Sequence, residues 1–151
     1  MGQVISSTPI NHNEVDISWM AGSVFANISL IEPSAWRIEF FGGQYLLIEC
    51  PWRLIEKRRI AVSCDDQDQS YGLSEPIDAA AKARDFLNGR EVSEVELSEG
   101  TADLRIEFGD DVRLEILPFS IGYESWQLSM PTGEILGALG GGNFEVWSRD
   151  T

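Results

Sequence analysis

The sequence has 151 residues, 43% of them hydrophobic, and its 25 acidic residues outnumber 11 basic ones to give a formal net charge of −14. This length and composition predict one folded domain with a substantial core. The negative charge disfavours nucleic acid and anionic membranes as partners, because both are polyanions, and it favours the basic surface of another protein.

The N-terminal residues 1–16 are polar and lack periodicity, which predicts a flexible arm ahead of a single β-rich domain at 17–151. The opening M-G-Q-V-I-S fits the short N-myristoylation pattern, with Gly2 and Ser6 in place. The acidic body offers no polybasic second anchor, so acylation of Gly2 is left open. Because no signal-peptide pattern is present, we expect a cytoplasmic protein.

In the first half, alternating apolar residues predict strands at 24–31, 35–41, 45–50 and 60–63. Four basic residues, Arg53, Lys57, Arg58 and Arg59, form the one basic cluster, which we interpret as a solvated hairpin end or an internal partner for the acidic surface. A polar loop at 64–72 follows. The two cysteines, Cys50 and Cys64, are too few for a disulfide framework, and we expect reduced thiols.

One helix is predicted at about 76–88, with Pro76 in its first turn and Gly89 as its C-terminal cap. Its alanine-rich apolar stripe predicts packing against a sheet. Strands are then predicted at 92–97, 104–108 and 112–117, over the stretch 122–128, and at 134–138 and 144–147.

An internal repeat organises these elements. Arg37-Ile38-Glu39-Phe40 recurs as Arg105-Ile106-Glu107-Phe108, and in both places a glycine turn, a strand, a proline and an aromatic residue follow. The repeat predicts an α+β, β-rich fold: a duplicated antiparallel meander, in one sheet or an open barrel, with one packing helix. The two meander-like halves are expected at about 20–75 and 89–148.

Residue patterns typical of catalysis are missing. His12 is the one histidine, which excludes multi-histidine metal sites. Asp66, Asp68 and Ser70 have the first spacings of a calcium loop, but Tyr71 stands where the loop needs glycine and Ile77 where it needs glutamate. The Gly140–Gly142 triplet lacks the lysine and helix of a phosphate loop. We therefore expect no metal, no cofactor and no enzymatic activity.

Several segments carry a family resemblance: E-C-P-W-R-L (49–54), Y-G-L (71–73), P-I-D-A-A (76–80), A-D-L-R-I-E-F (102–108), G-Y-E-S-W-Q-L (122–128) and G-G-G…W (140–147). Over roughly residues 17–148 the chain resembles a family of small acidic bacterial proteins without assigned enzyme activity. That family is similar to the immunity proteins encoded beside secreted polymorphic toxins. The resemblance implies an inhibitor of a toxin and provides no catalytic residues.

The leading hypothesis is a cytosolic immunity protein that occludes a cognate toxin domain with a basic surface. The polar loop at 64–72, which we call the acidic loop, has an aromatic residue near its end. It predicts contacts at Asp65, Asp66, Asp68 and Tyr71, with Glu124 and Trp126 as a second choice. The alternatives are a small-ligand module, with its ligand between the sheet and the helix, and a regulatory binding protein of another kind. The oligomeric state is left open.

Overall fold

A computed structural model describes residues 4–150, so the N-myristoylation hypothesis at Gly2 lies outside the described residues. Helix α1 spans Ala79–Leu87. The strands are β1 Val4–Ile10, β2 Phe25–Glu32, β3 Ala35–Phe40, β4 Tyr45–Ile48, β5 Trp52–Glu56, β6 Arg59–Ser63, β7 Glu94–Leu97, β8 Leu104–Glu107, β9 Val112–Ile116, β10 Trp126–Ser129, β11 Ile135–Ala138 and β12 Phe144–Asp150.

The strands form two antiparallel sheets, a large one ordered β1-β12-β11-β10-β4-β3-β2 and a small one ordered β6-β5-β9-β8-β7. Buried side chains from both sheets and from α1 meet in one hydrophobic core. Trp36 of β3 and Trp52 of β5 join the two sheets in an edge-to-face contact with ring centroids 5.1 Å apart. The predicted β-rich α+β architecture is confirmed, and its strands divide between two sheets.

The two predicted meanders contain equivalent hairpins. In β3–β4, Trp36 pairs with Ile48. In β8–β9, Leu104 pairs with Ile116, each residue lying 68 positions after its counterpart. In each hairpin the turn begins with a phenylalanine, Phe40 or Phe108, whose N–H donates to the carbonyl four residues later. The two hairpins therefore have the same register and the same turn bond, as expected for a duplicated meander.

The two halves exchange their fourth strands. Strand β5 leaves the first half and pairs with β9 of the second. Strand β10 leaves the second half and pairs with β4 of the first. Each crossing strand begins with a fully buried tryptophan, Trp52 in β5 and Trp126 in β10. The halves are therefore interlocked, because each completes a sheet that the other begins.

A pseudo-two-fold relation centres on the isolated bridge between Val24 and Glu91, which lie 67 positions apart in sequence. Around this bridge the Gly22 N–H donates to the Val92 carbonyl (2.8 Å), and the Gly89 N–H donates to the Phe25 carbonyl (3.4 Å). Gly89 lies 67 positions after Gly22, and Val92 lies 67 positions after Phe25. The two bonds are therefore equivalent when the halves are exchanged. The backbone thus repeats the symmetry that the R-I-E-F repeat predicts.

Helix α1 is shorter than predicted and begins after Asp78, whose side chain accepts a hydrogen bond from the Ala81 N–H (3.1 Å). Gly89 follows its C-terminal end with φ +74°, a conformation that glycine adopts without steric cost. The face toward the sheets is formed by Ala79, Ala80, Ala83 and Leu87. Among residues 4–150, no helix is long and apolar enough to cross a membrane.

The N-terminal segment differs from the expected flexible arm. Val4–Ile10 form strand β1, which pairs with β12 over seven residues at the edge of the large sheet. Farther along, the His12 Nε2 lies 2.7 Å from the Leu97 carbonyl, so this side chain is not a solvated tail residue. Strand β1 is held by backbone pairing with β12, and its central residues Ser6, Ser7 and Thr8 are polar, so the sequence lacks the alternation typical of a strand.

Candidate functional site

The acidic loop predicted as the binding surface follows β6 and is fastened to its surroundings. Asp66 closes a short 3₁₀ turn by accepting a hydrogen bond from the Ser63 N–H (2.8 Å). Its other carboxylate oxygen accepts from the Tyr71 hydroxyl (2.9 Å), a bond that raises the pKa of Tyr71. Both carboxylate oxygens of Asp66 thus accept hydrogen bonds that hold the loop in shape, so the main role of Asp66 is structural.

The base of this loop is also held. The Asp68 N–H donates to the Ile77 carbonyl (2.9 Å). The Ala79 N–H donates to the side-chain carbonyl of Gln67 (2.8 Å). The side chains of Asp65, Asp68 and Tyr71 are exposed. These three side chains remain predicted contacts, and the loop that carries them is held in place by hydrogen bonds.

The second pair of predicted contacts is split by the structure. Trp126 has no exposed surface, and its indole N–H donates to the Ala102 carbonyl (3.0 Å). It belongs to the hydrophobic core. Glu124 is partly exposed and accepts a hydrogen bond from the Gln127 side chain. Strand β10 begins only at Trp126, so the expected strand over 122–128 is shorter at its start.

Glu124 belongs to an acidic cleft that the sequence did not suggest. A hollow of about 300 Å³ lies between the β2–β3 turn and the start of the acidic loop, and Glu49 and Asp65 are among its lining residues. Partial burial in this concave surface raises the pKa of Glu49, and the nearby carboxylates of Glu124 and Glu32 raise it further. Glu49 and Asp65 line the hollow, and Glu32 and Glu124 lie near Glu49; we call these four residues the acidic cleft.

No ion pair among residues 4–150 involves an acidic-cleft carboxylate. The cleft residues come from four stretches of sequence without lysine or arginine: 1–36, 38–52, 60–81 and 114–148. The β5–β6 turn, which carries Lys57 and Arg58, lies at the far end of β5, roughly 16 Å from the cleft at the usual strand rise. The fold thus places Lys57 and Arg58 away from the acidic cleft.

Both cysteines line the cleft as free thiols. Burial raises the pKa of Cys50 to about 12, with a further contribution from Cys64. Burial also raises the pKa of Cys64, against the opposing effect of a hydrogen bond from the Trp52 N–H (3.4 Å). Both groups are protonated near neutral pH, and a protonated thiol is a poor nucleophile.

Beside the cleft, residues 118–124 form a connection that we call the apolar loop. It joins β9 to β10, and its two ends are tied to residues on either side of Cys50. The Leu117 N–H donates to the Pro51 carbonyl (2.9 Å), and the Glu49 N–H donates to the Ser125 carbonyl (2.8 Å). These paired bonds place the apolar loop next to the acidic cleft.

The apolar loop exposes three large side chains, Phe119 (80% exposed), Ile121 (94%) and Tyr123 (81%). The Ser120 hydroxyl accepts hydrogen bonds from the N–H groups of Gly122 (3.0 Å) and Tyr123 (2.9 Å). The Ser120 carbonyl accepts a third from Gly141 (2.9 Å). Gly140 packs so closely that a Cβ on it would lie 2.5 Å from the Ile121 carbonyl group. The loop therefore has a defined shape despite its exposed apolar side chains.

The space between α1 and the sheets is filled. Ala79, Ala83 and Leu87 have no accessible surface, so no cavity large enough for a water molecule touches them. A small ligand has no room at the place where the alternative hypothesis puts it. Among the described residues, no group of three or more His, Cys, Asp or Glu side chains could hold a metal ion.

The acidic cleft carries a prediction about stability. Because the pKa of Glu49 is raised on folding, the folded state holds this proton more tightly, and stability is lost as pH rises from the unfolded to the folded pKa. Glu49→Gln should therefore raise Tm at pH 7, with a gain in the free energy of unfolding below about 1 kcal/mol because solvent screens this carboxylate. It should change little below pH 4. The matched control is Glu75→Gln at an exposed position outside the cleft. An unchanged or lower Tm for Glu49→Gln at pH 7 would contradict the prediction.

Comparison with known families gives one finding. A model described as a family of unknown function (DUF6188) matches residues 17–148. The search of curated proteins and the search of solved structures gave no match.

Proposed function

The chain belongs to the DUF6188 family, whose function is unknown, and we propose that it is a cytosolic immunity protein that binds and occludes a basic bacterial toxin domain. The observation that carries the proposal is the acidic cleft, whose carboxylates come from four base-free stretches and lack ion pairs within residues 4–150. Burial raises the pKa of Glu49, and repulsion from the carboxylates of Glu124 and Glu32 raises it further. A cationic partner would relieve that repulsion.

Inhibition by occlusion fits the chemistry of the cleft. A toxin that acts on a polyanion, such as a nuclease, has a basic active site, and a surface of carboxylates and aromatic side chains can cover it. The fastened acidic loop and the apolar loop are both ordered before binding, so less conformational entropy is lost on association. The two thiols in the cleft are protonated and unreactive, which favours binding over catalysis there.

The direct test is to co-express the chain with an affinity-tagged, catalytically inactivated toxin domain encoded by the neighbouring gene. The proposal expects a stoichiometric complex and loss of toxin activity when the active domain is titrated with the chain. Absence of a complex with every toxin encoded nearby would contradict it.

A second prediction concerns salt. The rate of association with a basic partner should fall at least roughly 10-fold between 50 and 500 mM NaCl, because electrostatic steering is screened at distances beyond the Debye length. The measurement is stopped-flow or biolayer interferometry at a series of salt concentrations. A variant with Glu49→Gln and Glu124→Gln should show a shallower dependence. An association rate that does not respond to salt would remove net charge from the mechanism.

A further inference from the structure

We propose that the apolar loop at 118–124 is the anchor of the binding surface and inserts into an apolar pocket of the basic partner, with the acidic cleft contacting the pocket's charged rim. This inference rests on the proposed function and names the surface that performs it. It differs from the sequence prediction, which puts the main contacts on Asp65, Asp66, Asp68 and Tyr71.

The exposure of the apolar loop is the first argument. Phe119, Ile121 and Tyr123 occupy alternate positions in one short loop, and each is at least 80% exposed. Together they expose apolar surface on the order of 400 Å², the range in which the largest apolar patch of a monomer is often functional. Hydration of this surface is unfavourable, and burial against a partner would remove that cost.

The second argument is that the loop's shape is fixed by contacts that do not involve its apolar side chains. Ser120 holds the turn through its hydroxyl and its carbonyl, and the Gly140–Gly142 segment supports the backbone from behind. The ends are fixed at Pro51 and Glu49. Anchor residues held in this way lose little entropy on docking, which is the behaviour expected of binding hot spots.

Charge complementarity indicates which kind of partner binds the apolar loop and the acidic cleft. The 35 residues from 114 to 148 contain four glutamates and no lysine or arginine. Glu124 lies within the apolar loop, and Glu49 adjoins its end. A second copy of this chain would bring the same acidic residues to the interface and would be repelled at a formal charge of −14. The surface therefore fits a basic protein that offers an apolar pocket.

The experiment compares three forms of the full-length chain, using the inactivated toxin domain from the neighbouring gene as probe. The loop variant is Phe119→Ser with Ile121→Ser and Tyr123→Ser. The control variant is Phe41→Ser with Ile60→Ser, which removes two exposed apolar side chains elsewhere on the surface. We expect the loop variant to weaken binding at least ~100-fold, the scale of several hot-spot residues, and the control to stay within about 3-fold of wild type. Thermal melting checks that each variant is folded.

Photo-crosslinking keeps the test independent of those substitutions. A p-benzoylphenylalanine at position 121 should crosslink to the toxin domain, and one at position 71 should crosslink less. If wild type does not bind the probe, the proposed function fails and this inference fails with it. If wild type binds while the loop variant binds equally well, or position 71 crosslinks and position 121 does not, the surface assignment alone is overturned. Sedimentation showing a wild-type dimer that the loop variant loses would instead make the occupant a second copy and would also overturn it.

Discussion

Replacing Gly142 by alanine should destabilise the protein by about 3 kcal/mol or more, because two independent costs combine at this position. Gly142 has φ +80°, in the left-handed region that is unfavourable for a residue with a Cβ. A Cβ here would also overlap the carbonyl oxygen of Gly100, which is backbone and cannot rotate away. The loop at 98–102 or the 139–143 turn would have to move. Chemical denaturation measures the loss.

Gly100→Ala is the matched control. Gly100 has φ +89°, but a Cβ there would meet no atom within 4 Å, so this variant pays only the conformational cost of about 1–2 kcal/mol. The difference between the two variants measures the close contact between the two turns. Equal losses of stability would show that this contact costs nothing. Because the Gly140–Gly142 segment also supports the apolar loop, Gly142→Ala should weaken partner binding as well, and Gly100→Ala less.

Most hairpins could be predicted from the sequence, because the strand periodicity and the turn residues of a hairpin lie within one short segment. Trp36, Ile38 and Phe40 alternate with polar residues, and Gly42-Gly43 follows them, so periodicity and turn chemistry agree locally. The R-I-E-F repeat extended the argument to the second half. The exchange of β5 and β10 between halves was beyond such reasoning, because strand order between sheets depends on tertiary contacts that no local pattern encodes.

The elements missed from sequence have physical reasons as well. Strand β5 contains Arg53 and is followed by Lys57, a charge pattern typical of a solvated turn, although Trp52 and Leu54 are buried at alternate positions as in a strand. In β1, the polar run Ser6 to Thr8 breaks any apolar alternation, and the strand is held by its backbone pairing with β12. The start of the 122–128 stretch resembles a strand by composition, but the Ser120 hydroxyl captures the N–H groups of Gly122 and Tyr123.

The candidate site was only partly predictable. Acidic Asp65 and Asp68 were found because the charge run is local, and the structure leaves both exposed. The cleft residues Glu32 and Glu49 were missed because they are single acids, one at the end of β2 and one just after β4, that only folding brings together. Glu124 was a second-choice prediction, and the absence of basic residues over 114–148 could also have indicated the apolar loop beside it.

The two crossing tryptophans provide a prediction that tests how equivalent the halves are. Trp126→Phe should cost about 1–3 kcal/mol more than Trp52→Phe, because only Trp126 uses its indole N–H in a hydrogen bond. Each residue is fully buried at the start of a crossing strand, and each contacts a second aromatic ring, Trp36 or Phe144. The loss of ring volume and of aromatic contact is therefore similar in the two variants.

The remaining difference is polar. The Trp126 indole donates to the Ala102 carbonyl, and phenylalanine would leave that buried acceptor without this bond. The Trp52 indole nitrogen is buried and has no hydrogen-bond partner among the described residues, so its removal takes away a desolvated N–H. Urea denaturation of both single variants and the double variant measures the difference, and the distinct partners predict nearly additive losses. If Trp52→Phe proves as costly as Trp126→Phe, packing rather than hydrogen bonding fixes the two crossing strands.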